Sequence, residues 1–302
     1  MPTRTDIHQH LWPAELIDAL RRRQRTPLLK GWTLLLDGEA PVEIDAHAHD
    51  QGARSARSSS ERPGERALVS LSSPVGIEHL DGDESHPLLE AWRAGTATLP
   101  PPFSAWAAVS VVEPDLTALA VDLAVGFVGL QIPATAMATP AQLEQLAPVL
   151  EVCAAANRPV LVHPGPAGPL PVSPRWWPPV VDYVSQLHAA WWSWHAVGRT
   201  VLPTLRICFV ALAGLAPLHH ERLAARGGRL GPVDPGVFLE TSSYGPQAID
   251  AVSRALGIDA IVLGSDRPYA EPVDPRGLRL GDAAAAAIER NNPRRLLEGS
   301  LR

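Results

Sequence analysis

Four residues in this chain have side chains that bind metal ions and stand at comparable places: His8 and His10 in TDIHQHLWP, His163 in VLVHPGP and Asp266 in VLGSDRP. His8 and His10 are spaced i, i+2, which on a strand puts both imidazoles on one face. Three ring nitrogens and a carboxylate oxygen suit one divalent ion, zinc first, with manganese, iron and cobalt as further candidates. Singly, each residue has a plainer use. A lone histidine at a strand end is more often packed than ligating, and an aspartate in such a turn can cap a helix. Their joint occurrence favours the metal.

The elements that must position them alternate along the chain. Strands are expected at 5–10, 65–73, 104–112, 127–133, 159–163, 205–212, 237–242 and 260–265. Several are continuous apolar runs, as parallel strands covered by helices are. Helical patterns fill 14–25, 87–99, 115–125, 140–157, 179–198, 216–226, 246–257 and 281–298. This repeat predicts one (β/α)8 TIM barrel over 1–302. A doubly wound sheet ranks below it because no Gly-rich first turn is present. Strands one, five and eight then deliver His8/His10, His163 and Asp266 to the C-terminal rim, where barrels place their active sites. Residues 31–64 interrupt the repeat after strand one. Within that region, 31–46 reads as a hairpin turning at Asp37–Gly38, and 50–66 as a polar, mobile loop; together they form a candidate lid.

Composition narrows the function classes. The chain has 302 residues, is 46% hydrophobic and carries a net charge of −6, so a large core is expected and nucleic acid is not. Arg21-Arg22-Arg23-Gln24-Arg25 closes the first helix, where cations complement the dipole. Cys153 and Cys208 fit no metal or redox spacing. No apolar run approaches a membrane span of about 18 residues, and no leader pattern precedes His8, so a cytoplasmic location without membrane contact is expected. Lys30 is the single lysine among 26 basic residues. No phosphate-binding Gly-Lys-Ser/Thr loop exists, and no GxSxG or GxGxxG motif does either.

Other candidates stand nearby. His47 and His49 repeat the HxH spacing but lead into the polar stretch, so they read as loop residues, with a lid or second-metal role as the alternative, and His219 and His220 read as surface residues. Trp12 and Trp176 are placed to line an aromatic-friendly pocket, although core packing is the default for tryptophan. Arg267 can hold a substrate carboxylate by a bidentate pair, or else pair with Glu271.

DIHQHLWP, VLVHPG, SSYG at 242–245, GSDRP and NPRRLL at 292–297 occur in the order of the amidohydrolase superfamily. The chain resembles the branch that includes aminocarboxymuconate-semialdehyde decarboxylase and γ-resorcylate decarboxylase. The resemblance implies that His8, His10, His163 and Asp266 hold one metal. Two-metal relatives use a carboxylated lysine on strand four, where this chain has Gln131. The branch also places a histidine before Gly-Gly at the end of strand six, and here Ala211 occupies that place. A methyl group moves no proton, so Asp266, as ligand and proton carrier, and His188, after strand five, are the remaining candidates for acid–base work.

Three functions follow, in this order. The first is a metal-dependent hydrolase of a small amide, lactone or ester, with water activated at the metal and Asp266 accepting its proton. The second is a nonoxidative decarboxylase of a small hydroxyaromatic or unsaturated acid, with His188 protonating the ring carbon. The third is an inert barrel with a binding role. A small-molecule substrate is the partner expected, and a homodimer stays open because related barrels often pair.

Overall fold

The structure is a computed structural model that describes residues 3–168, 174–229 and 231–299. It is an α/β arrangement with two parallel sheets. The first consists of β1 (Thr5–His10), β5 (Arg66–Ser70) and β6 (Phe103–Ala105), in that order. The second runs from β7 (Leu130–Pro133) through β8 (Val160–His163), β9 (Ile207–Phe209) and β10 (Val237–Glu240) to β11 (Ile261–Val262). Each of the eight expected strands has its counterpart, and the order in space follows the order in sequence. Backbone pairing also links the sheet edges. Ala107 bridges Leu130 between β6 and β7, and Gln9 bridges Arg267 beyond β11. Ile7 N donates to Leu263 O at 3.0 Å on that second seam. There Asp6 Oδ1 also accepts from Ser265 N at 3.0 Å.

Every residue of β1, β7, β8 and β10 is buried; β7, β8 and β10 are mostly apolar accordingly, whereas β1, TDIHQH, buries polar side chains that turn to the site and to the seam with β11. Tryptophans form much of the core: Trp12, Trp92, Trp106, Trp191 and Trp194 are all fully buried. Trp106 Nε1 donates to Ile7 O at 2.9 Å and so fixes the third strand against the first.

The region between β1 and β5 corrects the sequence reading twice. The hairpin at Asp37–Gly38 is present, made by β3 (Thr33–Leu35) and β4 (Val42–Glu43), but β2 (Leu28–Lys30) pairs with β3 as well, giving a three-stranded antiparallel sheet. The turn between β2 and β3 uses Gly31 at φ +66°. The polar stretch expected to be a mobile loop is a helix, Gln51–Glu61. Asp50 caps it by accepting from Ala53 N at 2.8 Å. Arg54 docks it, donating to Ala48 O at 2.8 Å, His10 O at 3.2 Å and Gln9 Oε1 at 2.7 Å.

A third correction lies after β9. The helix expected at 216–226 is confined to His220–Ala225. Before it, Ala211, Leu212, Ala213, Gly214 and Leu215 all take left-handed backbone angles, φ between +46° and +63°. Such a conformation costs L-residues roughly 1–2 kcal/mol each and seldom runs beyond one residue. Gly214 packs so tightly on the Val184 carbonyl that a Cβ there would stand 2.7 Å from its oxygen. Among the described residues no helix is long and apolar enough to cross a membrane.

Candidate metal centre

β1 turns His8 and His10 to the same side, and both are almost fully buried. β8 brings His163 beside them, in register with Pro133 of β7. After β11, the backbone reverses through Asp266 at φ +62°, held by Asp266 N donating to His8 O at 2.9 Å. Aspartate tolerates this left-handed conformation better than most residues. The reversal returns its carboxylate to the histidines. One donor atom from each of the four residues lies within 4.8 Å of the others.

The orientations of the rings matter more than their proximity. Each pair of imidazoles meets edge to face, with ring centroids 5.0 Å apart. His8 Nε2 stands 3.1 Å from His10 Nε2, and Asp266 Oδ1 is 3.1 Å from His10 Nε2 and 3.7 Å from His8 Nε2. The Nδ1 atoms face acceptors on the outside. His10 Nδ1 lies 3.1 Å from Ser70 O, His163 Nδ1 lies 2.9 Å from Pro164 O, and His8 Nδ1 lies 3.1 Å from a Glu240 carboxylate oxygen. Nδ1 donation outward leaves Nε2 lone pairs converging on one point next to a carboxylate. The donor set fits a single divalent cation, with the second ring nitrogen oriented as metal-bound histidines orient it.

Charge separates the three rings. Burial pulls down His8, but the Glu240 and Asp266 carboxylates outweigh it and hold its pKa above the ordinary value. Burial lowers His10, which Asp266 only partly offsets. Burial, then the neighbouring His8 and His10, push His163 well below the usual range. His8 is therefore the most basic of the three rings and His163 the least.

The remaining expected residues distribute unevenly. Gln131 is fully buried, and its amide donates to Leu71 O and Ser73 Oγ, both at 2.7 Å, so it stands apart from the donor group. Trp12 does not line a pocket. It is buried behind His10, its Nε1 donating to Ser72 Oγ at 2.9 Å, and Ser72 Oγ is 3.2 Å from His10 Nδ1. Trp176 is 55% exposed and lies against Trp177 instead of the histidines. Arg267 pairs with Glu271 at 2.6 Å, the second of the two uses its position allowed. His188 is engaged elsewhere: its Nε2 accepts from Trp192 Nε1 at 2.8 Å, and its ring meets His219. His47 and His49 sit in a short 3-10 turn, not a loop. His49 stacks on Trp12 and accepts from Trp12 N at 3.0 Å, so it braces the rim, while His47 stays exposed.

Two residues were not anticipated. Glu240, behind His8, carried a legible signal: a charged residue closing the apolar run VFLE, at the same strand end as His10 and His163. Tyr269 is exposed, with its ring 5.4 Å from that of His10. Only the turn after Asp266 brings it there, and no spacing rule marks it.

No protein-family model matches the sequence, and no curated protein is significantly similar to it in sequence. Solved structures are similar over almost the entire chain, and several of them are decarboxylases. IDCase of Metarhizium anisopliae matches with a TM-score of 0.75 at 19% identity, over 98% of this chain and 97% of that one. The 2,6-dihydroxybenzoate decarboxylase from Rhizobium matches with a TM-score of 0.67 at 18% identity, over 99% of each chain. The 5-carboxyvanillate decarboxylase from Novosphingobium aromaticivorans, complexed with manganese and 4-hydroxy-3-methoxy-5-nitrobenzoic acid, matches with a TM-score of 0.70 at 18% identity, over 98% of this chain and 96% of that one. At these identities the shared property is the fold.

Proposed function

We propose that this chain is a metal-dependent, nonoxidative decarboxylase of a small hydroxylated aromatic acid. The observation that carries the reading is the convergence of His8, His10, His163 and Asp266 on one point. The fold shared with decarboxylases reverses the order taken from the sequence, in which hydrolysis came first. The eight parallel strands are read as one closed (β/α)8 barrel over the whole chain, supported by the hydrogen bonds across both seams. The insertion 31–64 is read as a lid, supported by the docking of Arg54 beside His10. Manganese stands ahead of zinc as the single divalent ion, because a similar decarboxylase holds it.

When bound, that ion would polarise the oxygens of a carboxylate and a neighbouring phenol. Asp266 does the proton work. It is the one cluster member with appreciable exposure, 22% of its side chain. Its carboxylate takes the phenol proton and returns it to the ring carbon that bears the carboxylate. The bond to that carboxylate then breaks, its electron pair restores the aromatic ring, and carbon dioxide and the phenolate leave. Tyr269 offers its exposed ring as a wall for the aromatic substrate.

Manganese-loaded protein is to be incubated with 2,6-dihydroxybenzoate, 5-carboxyvanillate and related hydroxybenzoates. The expected result is carbon dioxide released in equal amount to the decarboxylated phenol, reduced about 10²–10⁴-fold in Asp266→Asn. Hydrolysis remains the second reading because Ala211 puts a methyl group where the resemblance to the branch implies a histidine. It takes first place if the loaded protein releases no carbon dioxide from any of these acids but opens lactones or amides.

A further inference from the structure

Glu240 closes β10 with no solvent exposure. Among the described residues no arginine or lysine pairs with it; its ionic contact is His8. One carboxylate oxygen, Oε2, accepts from Ser242 Oγ at 2.7 Å and from Ala211 N at 3.2 Å, and faces His8 Nδ1 at 3.1 Å. The other, Oε1, accepts from Ser242 N. A carboxylate this deep is costly without a counter-charge. The three imidazoles of the cluster differ at this point. At Nδ1, His10 and His163 face neutral carbonyl oxygens, while His8 faces a carboxylate.

We infer that Glu240 is a positioning residue that keeps the Nδ1 proton of His8 on its outer side and makes His8 Nε2 the strongest nitrogen donor of the site, thereby setting how tightly a divalent cation is held. A carboxylate behind a histidine fixes its tautomer and ring orientation and raises the basicity of the opposite nitrogen. The cation in turn adds positive charge on the far side of His8 from the buried carboxylate. Glu240 Oε2 also accepts from Ala211 N, the first residue of the left-handed turn, a bond that an amide oxygen in its place keeps. The inference rests on the metal reading proposed above.

The test is equilibrium dialysis of full-length wild-type protein and Glu240→Gln against manganese(II), with bound metal measured by elemental analysis. The melting temperature of each metal-free protein is measured in parallel. Glutamine keeps the size and an acceptor oxygen but removes the charge. The expected result is a dissociation constant raised roughly 10–100-fold with the metal-free melting temperature unchanged. An affinity within about twofold of wild type overturns the inference. So does a metal-free melting temperature that falls along with the affinity, since Glu240 would then hold the fold instead of His8. Wild-type protein that binds no manganese overturns the metal reading itself. If Glu240→Gln does not fold, Glu240→Asp, which keeps the charge but withdraws it by one methylene, is judged by the same criteria.

Discussion

Two histidine-rich places in this molecule have similar compositions and different chemistry. In the first, His8, His10 and His163 gather at strand ends, their Nδ1 atoms face outer acceptors and Asp266 completes the group. In the second, His188, His195, His219 and His220 gather on the helical segments flanking β9 with Trp191 and Trp192. There His188 Nε2 accepts from Trp192 Nε1, and His195 Nδ1 donates to Trp191 O at 2.9 Å. Burial, then His195, lowers His220 to about 4, and no carboxylate joins its ring in the contacts of the described residues. In the second group His188 spends its Nε2 on an indole and His195 its Nδ1 on main chain, while His220 Nε2 is buried with no hydrogen-bond partner among the described residues. Histidine density does not make a metal site; the direction of the lone pairs, and an anion to balance the cation, do.

The sharpest way to break this contrast is to remove a ligand from the first group. His163→Ala is expected to weaken manganese binding by more than about 100-fold, the upper range for outer-shell partners alone, and to take activity with it. Elemental analysis of dialysed protein checks this; an unchanged one-to-one ratio would move the metal elsewhere.

The next largest effect contrasts the two HxH pairs. Burial, then the Arg54 charge, pulls His49 from 6.5 to about 4. The unfolded chain therefore binds a proton that the folded chain refuses, and stability falls as pH drops from about 6.5 towards 4. The full shift corresponds to an upper bound of about 3 kcal/mol. His49→Gln should remove most of that acid sensitivity, measured by denaturant unfolding at pH 7.5 and pH 5. An unchanged slope would assign the acid sensitivity to other groups.

Ala211→Val ranks below these. A β-branched residue at φ +46° is strained, and an unfolding free energy lower by about 1–2 kcal/mol is expected. The smallest effect belongs to His188→Gln, which should leave metal content and turnover within about twofold, because its ring serves Trp192 and His219. A large loss of turnover with intact metal would return His188 to the acid–base role that its place in the sequence invited.

The parallel strands and the four-residue donor set were legible because period and spacing encode them directly. β1 puts His8 and His10 on one face by geometry alone, and the apolar runs of β7 and β8 announce strands buried on both sides. What the sequence hid was decided by single contacts. The serine-rich stretch at 51–61 has the composition of a loop, yet one cap from Asp50 and three hydrogen bonds from Arg54 make it a docked helix. Trp12 and His188 lie near the right elements, but side-chain direction sends one behind His10 and the other to the outer helices. The left-handed run after β9 has no pattern at all. Alanines and leucines there look helical, and only packing on Val184 and the bond to Glu240 impose the opposite hand.

That run also determines which replacements position 211 accepts. At φ +46° the main chain admits glycine, asparagine, aspartate and histidine with little penalty and resists branched side chains. Most of the tolerated residues are polar, and two of them are proton carriers. The position therefore acts as a sieve that excludes bulky aliphatic replacements and leaves open the recruitment of an acid or base. A proton carrier could return there by one substitution, with no rebuilding of the backbone around it.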